Sequence, residues 1–148
     1  MNLIKSSKVN NVSVLLTENN IYKLKDFTLT SYPQEASSLL FGEVFAEKVF
    51  IKEVFNVSNF SRAATQFIIS KEQEEHATNK ATYPLIGVYH SHLCNSKPSI
   101  CDLVSMEKKD LIWIIGYLKK IKTKSMFFKL DSYYLNNSQL YNLKMMKT

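Results

Sequence analysis

The chain has 148 residues, the size of one domain with room for a real hydrophobic core, and 45% of them are hydrophobic, an ordinary globular share. No apolar run approaches the roughly 18–20 residues that span a bilayer, and residues 1–8 lack the apolar segment of a secretion signal, so a cytoplasmic protein with no membrane partner is expected. The net charge is +6 but uneven: ten Lys/Arg balance ten Asp/Glu up to Asp102, and nine lysines against Glu107, Asp110 and Asp131 carry the whole excess thereafter.

Residues 12–16 alternate loosely and read as a short strand. From Glu18 to about Thr30, Ile21, Leu24, Phe27 and Leu29 recur at mostly helical spacing. Tyr32-Pro33 ends that helix, because the residue before a proline avoids the helical region. Residues 37–45 and 49–57 are rich in Val, Ile and Phe around a polar turn at Ala46-Glu47-Lys48, which predicts a β-hairpin. Residues 65–69 read as a third strand, and Ser70 caps a polar helix through Glu72, Glu74, Glu75 and His76. Residues 84–90 form a strongly apolar strand expected to lie centrally. A helix is predicted from near Ser99 to about Lys109, then strands over 111–118 and 125–135. The tail from Asn136 adds a last strand or frays. Lys119-Lys120-Ile121-Lys122-Thr123-Lys124 reads either as a patch for an acidic partner or, more plainly, as a solvated turn. With only three Gly and three Pro and no repeat or linker, residues 1–148 are expected to be a single domain. Hairpins mixed with helices suggest the α/β class, with a mixed sheet sandwiched by helices.

The chemistry concentrates at the end of the central strand. In a strand, residues i and i+2 share a face, so His90 and His92 project together. Asp102 follows ten residues later. Histidine and aspartate are side chains a catalytic zinc ion prefers, and three protein ligands leave its fourth position for water. Ser99-Ile100-Cys101-Asp102 also has capping-box spacing, and a carboxylate complementing a helix dipole is the plainer account of Asp102. The two accounts are compatible. A hydrolytic metal site needs a base for the bound water. Glu35, just after Tyr32-Pro33 where the first hairpin strand begins, is the best candidate; Glu43, Glu47 and Glu53 lie inside or between strands. Cys94 and Cys101 fall beside the same loop, as an extra ligand, a loop-locking disulfide, or residues with no role.

Taken together, Glu35, His90-Ser91-His92 and Ser99-Ile100-Cys101-Asp102 resemble the JAMM motif of the MPN+ metalloprotease family: an upstream glutamate, His-x-His-Pro, a loop, then Ser-x-x-Asp. The flanks are similar as well. Residues 33–42 resemble the family's proline-x-glutamate segment leading into a strand that ends in glycine, and residues 86–92 its glycine-aromatic approach to the histidines. The likeness covers about residues 12–135. Leu93 departs from it by standing where the family usually has proline, and the loop before Ser99 holds six residues where seven is usual. The resemblance implies an MPN (JAMM) fold of cytidine-deaminase-like architecture. It also implies one Zn²⁺ held by His90, His92 and Asp102 with a bound water, Glu35 as the base and Ser99 as a donor to the oxyanion. The implied activity is a deubiquitinase-like isopeptidase of the minimal prokaryotic type, cutting after the C-terminal glycine of a ubiquitin-like, β-grasp modifier or sulfur-carrier protein. A catalytically silent scaffold and a nucleic-acid-associated member of the same fold are the alternatives. Nucleic acid is the less expected partner, since only the basic last third speaks for it, and a homodimer is left open.

Overall fold

The computed structural model describes residues 3–58, 69–120 and 126–148. A 3-10 turn at Ser6–Asn11 leads into β1 (Ser13–Leu16) and α1 (Glu18–Ser31). The hairpin of β2 (Ser37–Phe45) and β3 (Lys48–Val57) follows, then α2 (Lys71–Lys80), β4 (Leu85–His92) and α3 (Ile100–Lys108). The chain ends with β5 (Ile112–Lys120), β6 (Met126–Asn136) and β7 (Gln139–Lys147). The strand expected over 65–69 falls mostly outside the described residues, as does the lysine-rich turn beyond Lys120; Ile69 forms an isolated bridge.

Short polar side chains start each α-helix. Thr17, Ser70 and Ser99 cap α1, α2 and α3 by accepting the backbone N–H of Asn20, Gln73 and Asp102, which satisfies a donor that the first helical turn leaves without a partner. α1 buries Asn20, Leu24 and Thr28, a stripe at i, i+4 and i+8. Two of these are polar, and both are satisfied. Asn20 donates to the carbonyls of Ile51 and Lys52 at 3.3 Å, and Thr28 bonds the Leu24 carbonyl at 2.7 Å and the Tyr89 hydroxyl at 2.5 Å. Leu29, expected on the apolar face, is exposed.

The strands run in the order β1-β3-β2-β4-β5-β6-β7 and close into a barrel. β1 pairs in parallel with both β3 and β7, and β4 in parallel with β5, while the remaining neighbours are antiparallel. This corrects the expected α/β architecture, a helix-sandwiched mixed sheet of MPN (JAMM), cytidine-deaminase-like form. Strand directions are mixed, but the sheet curls until its two ends meet, and strand is the dominant element among the described residues. Periodicity in a sequence marks which face of a strand is buried. It says nothing of which strand lies next to it, and here a four-residue strand and the C-terminal tail supply the seam.

Alternation along the strands divides the wall into two faces. One carries the main core, built from all seven strands (Leu40, Tyr89, Ile114 and Tyr134 among them) together with Leu24 of α1. On the other, Val88, Trp113, Ile115 and Tyr133 pack with Met106 of α3, and Leu39 and Phe41 with Ala77 of α2. Gly116 makes room for this arrangement: a Cβ there would lie 2.1 Å from the Tyr89 hydroxyl, which crosses it to reach Thr28. No described helix is long and apolar enough to cross a membrane.

Candidate metal centre

Tyr89 faces the main core, so His90 and His92 face the other side with Val88, toward α3. The antiparallel register of β2 on β4 sets Ser37 opposite His90. Continued outward by two residues, it brings Glu35 alongside His92. The chain before β2 is held there by Ser91, whose N–H donates to the Ala36 carbonyl at 3.0 Å and whose hydroxyl accepts the Ala36 N–H at 2.7 Å. A residue 55 positions before His90 is thus fixed at its side. α3 then delivers Asp102 in its first turn, where the capping box orients it: Ser99 Oγ accepts the Asp102 N–H at 3.1 Å, and Asp102 Oδ2 accepts the Ser99 N–H at 2.8 Å.

Three side chains converge. His90 Nε2 lies 2.9 Å from Asp102 Oδ1 and 2.8 Å from His92 Nε2, and His92 Nε2 lies 3.0 Å from Asp102 Oδ2. The two imidazoles meet edge to face at 85°, and the Trp113 ring stands edge-on to His90 with centroids 6.3 Å apart. Glu35 Oε2 is 3.3 Å from His90 Nδ1, on the outer side of that ring. His90 and Asp102 are buried, while the Glu35 side chain is 40% exposed.

These groups set each other's protonation. Burial alone would raise the Asp102 carboxyl; the hydrogen bonds from His90 and His92, the His90 charge and the Ser99 N–H outweigh it and hold Asp102 well below the usual carboxylate range. Burial alone would lower His92, but its hydrogen bond to Asp102, the charges of Asp102 and Glu35, and a backbone hydrogen bond to Asn95 hold it above the ordinary imidazole value. Both shifts favour the charged forms, an ionised Asp102 beside a His92 that holds its proton more tightly than a free imidazole.

His90, His92 and Asp102 could hold a metal ion, their ligand atoms all lying within 4.8 Å of one another. The donors are two imidazoles and one carboxylate, types that divalent metal ions accept. Tetrahedral bonds of about 2.0–2.1 Å place ligand atoms about 3.3–3.4 Å apart. His90 Nε2 stands 2.8 Å from His92 Nε2 and 2.9 Å from Asp102 Oδ1, and an ion would spread these two separations by only a few tenths of an ångström; the 3.0 Å contact of His92 is to the other carboxylate oxygen, Oδ2. The residues fit.

Among the expected residues, Glu35, His90, His92 and Asp102 come together. Ser99 joins them through Asp102 and is exposed at the helix start. The rival carboxylates lie elsewhere: Glu53 accepts the N–H groups of Thr82 and Tyr83 at 2.9 Å, Glu47 lies 3.8 Å from Lys8, and Glu43 is an exposed β2 residue. Cys94 and Cys101 are both free thiols. The support beneath the six-residue loop comes from residues that no motif marks. Ser96 is buried and donates to Asp131 on β6, and Tyr133 donates to the Ser96 carbonyl at 2.9 Å. Burial and the Asp131 charge push the Tyr133 hydroxyl up to about 12. Contacts across more than thirty residues leave no local signal in the sequence. No motif singles out Ser91 either; strand alternation, which turns it away from the two histidines, is the signal that could have found it.

No curated protein matches the chain. Solved structures share its fold. The solution structure of the protein DSY2949 from Desulfitobacterium hafniense aligns with a TM-score of 0.77 at 17% identity, covering 91% of this chain and 92% of that one. A protein from Salinibacter ruber aligns with a TM-score of 0.65 at 15% identity, covering 90% of each. Residues 20–131, well over half of the sequence, match the model of the prokaryotic homologs of the JAB domain, and the chain belongs to that family.

Proposed function

We propose that this JAB-domain protein is a zinc-dependent isopeptidase that hydrolyses the bond after the C-terminal glycine of a ubiquitin-like modifier. The observation that carries the reading is the convergence of His90, His92 and Asp102 with a fourth, exposed carboxylate, Glu35, at their side. His90, His92 and Asp102 would hold the ion, which when bound supplies Lewis acidity and a water of lowered pKa. Glu35 is the one carboxylate of the site open to solvent, and its role is to accept a proton from the attacking water and return it to the leaving amine. Ser99 spends a lone pair on the Asp102 N–H, which leaves its own O–H to donate to the oxyanion, a contribution of about 2.7–4 kcal/mol where such donors have been removed. The support for a β-grasp modifier as substrate is the resemblance of the motif, together with the extended tails such proteins carry.

The test measures zinc content and cleavage of a β-grasp modifier fusion for wild type and Glu35→Gln. Stoichiometric zinc with cleavage lost in the variant is expected. Zinc without cleavage by wild type would favour a silent scaffold, and cleavage unaffected by Glu35→Gln would remove Glu35 as the base.

A further inference from the structure

The three converging side chains come from two segments, the end of β4 and the first turn of α3, joined by residues 93–98. Ser96 alone in that stretch is buried, at 4% exposure, while its neighbours Asn95 and Lys97 are exposed. A serine drawn under a loop needs partners for both its hydroxyl and its carbonyl, and β6 supplies them. Ser96 Oγ donates to Asp131 Oδ2, and the Tyr133 hydroxyl donates to the Ser96 carbonyl at 2.9 Å. Asp131 and Tyr133 stand two apart on one face of β6. Strand register puts that face level with the site, since Asp131 lies opposite Ile115 of β5, and Ile115 beside His90. The loop turns around the anchored residue, with Asn95 Oδ1 accepting the Lys97 N–H at 2.8 Å.

We infer that Asp131 and Tyr133 are positioning residues for the metal ligands: they pin the loop at Ser96 and so hold the start of α3, with Asp102, against the two histidines. β6 supplies no ligand, yet it grips the middle of the short connection between the two parts of the set. Without the pin that connection is fixed at its ends alone. The freedom it gains must then be lost again when the ligands close on an ion, which weakens binding without removing any ligand. Of the two contacts, the one to Asp131 is the stronger kind, because its acceptor is a carboxylate. Lys129 Nζ lies 3.5 Å from the same oxygen, an exposed ion pair of little worth. The inference rests on reading His90, His92 and Asp102 as metal ligands.

Ser96→Ala, Asp131→Ala and Asp131→Asn test the pin, with Lys129→Ala as the control on the same strand. An asparagine keeps an oxygen that accepts from the Ser96 hydroxyl; an alanine keeps none. Zinc affinity, measured by competition with a chromogenic chelator, is expected to fall about tenfold in Ser96→Ala and in Asp131→Ala, the low end of what losing a partner behind the ligands costs. It should stay within about threefold of wild type in Asp131→Asn and Lys129→Ala. Ser96→Ala combined with Asp131→Ala should lose no more than either alone, because both remove the same contact. Amide exchange in the metal-free protein separates the pin from a general loss of stability. The N–H groups of Lys97, Ser99 and Asp102, each bonded within the loop or the cap, should exchange faster in the two alanine variants while those of β4 keep wild-type rates. Unchanged affinity in both alanine variants, or exchange that quickens evenly along the chain, would overturn the inference. Should Asp131→Ala not fold, Ser96→Ala makes the same comparison from the loop side. If wild type itself takes up no zinc, the metal reading fails instead, and exchange at those three amides still decides whether β6 holds the loop.

Discussion

At the scale of the residue, Asp102 is the centre of the site, because one carboxylate meets both imidazoles and also closes the capping box of α3. The opposed pKa shifts of Asp102 and His92 make stability and metal binding run in opposite directions with pH. Asp102 is lowered, so its contribution is present above about 3.9 and lost as pH falls below it. His92 is raised, so its contribution is complete below about 6.5 and lost as pH climbs through the raised value. The metal-free protein is therefore expected to be most stable between about pH 4 and 6.5. Zinc requires the imidazole without its proton, so affinity should rise over the window in which this stability falls. Melting curves of the metal-free protein and zinc titrations between pH 5 and 8 check both; an affinity flat across that range would deny His92 as a ligand. Ser99 caps α3, and the proposed donation to the oxyanion is a second role that can be separated from it. Ser99→Ala should cost about 1 kcal/mol of stability through the lost cap and, if the hydroxyl serves the oxyanion, about 10²–10³ in kcat. Ser99→Thr keeps both groups and should restore both; kcat that follows only the melting temperature would leave Ser99 as a cap and no more.

At the scale of the element, the sequence was most legible where chemistry and periodicity agree. The spacing Ser99-x-x-Asp102 gave the start of α3, and the apolar run before His90 gave β4 and the end at which the site is built. The C-terminal tail stays open in the sequence between a last strand and a frayed end because its turn lacks the usual glycine. Asn137 and Ser138 join β6 to β7 with φ of 50° and 65°, the paired positive angles of a tight hairpin turn that Asn-Gly normally announces. A serine there pays for a left-handed backbone that glycine adopts freely, so Ser138→Gly should raise the melting temperature, with each kcal/mol gained worth about 2–4 °C at this chain length. An unchanged or lower midpoint would mean that the flexibility glycine adds to the unfolded chain cancels the relief.

At the scale of the whole molecule, the seam and the site occupy different parts of the barrel. In the order β1-β3-β2-β4-β5-β6-β7 the candidate site lies at the end of β4, completed by the start of α3 and the segment before β2, while closure is made where β1 meets β7. Closure was not legible because it depends on which distant edges meet, and only the assembled core decides that: Val14 and Leu16 of β1 and Leu143 of β7 are buried together in the cluster that all seven strands share. The site was legible because its residues carry their chemistry in their own side chains and two of its segments are short. This separation has a measurable consequence. Leu143 is 5% exposed, so Leu143→Ala leaves a cavity at the seam and should cost about 2–5 kcal/mol, a fall in melting temperature of roughly 4–20 °C. The contacts that join His90, His92, Asp102 and Glu35 to one another involve no residue of β1 or β7. Zinc affinity at 25 °C, well below the lowered midpoint, should therefore stay within about twofold of wild type, because distant sites without shared partners behave additively. If affinity falls in proportion to stability, the barrel wall transmits strain from its seam to the metal centre, and closure is part of how the ligands are held rather than only how the fold is kept.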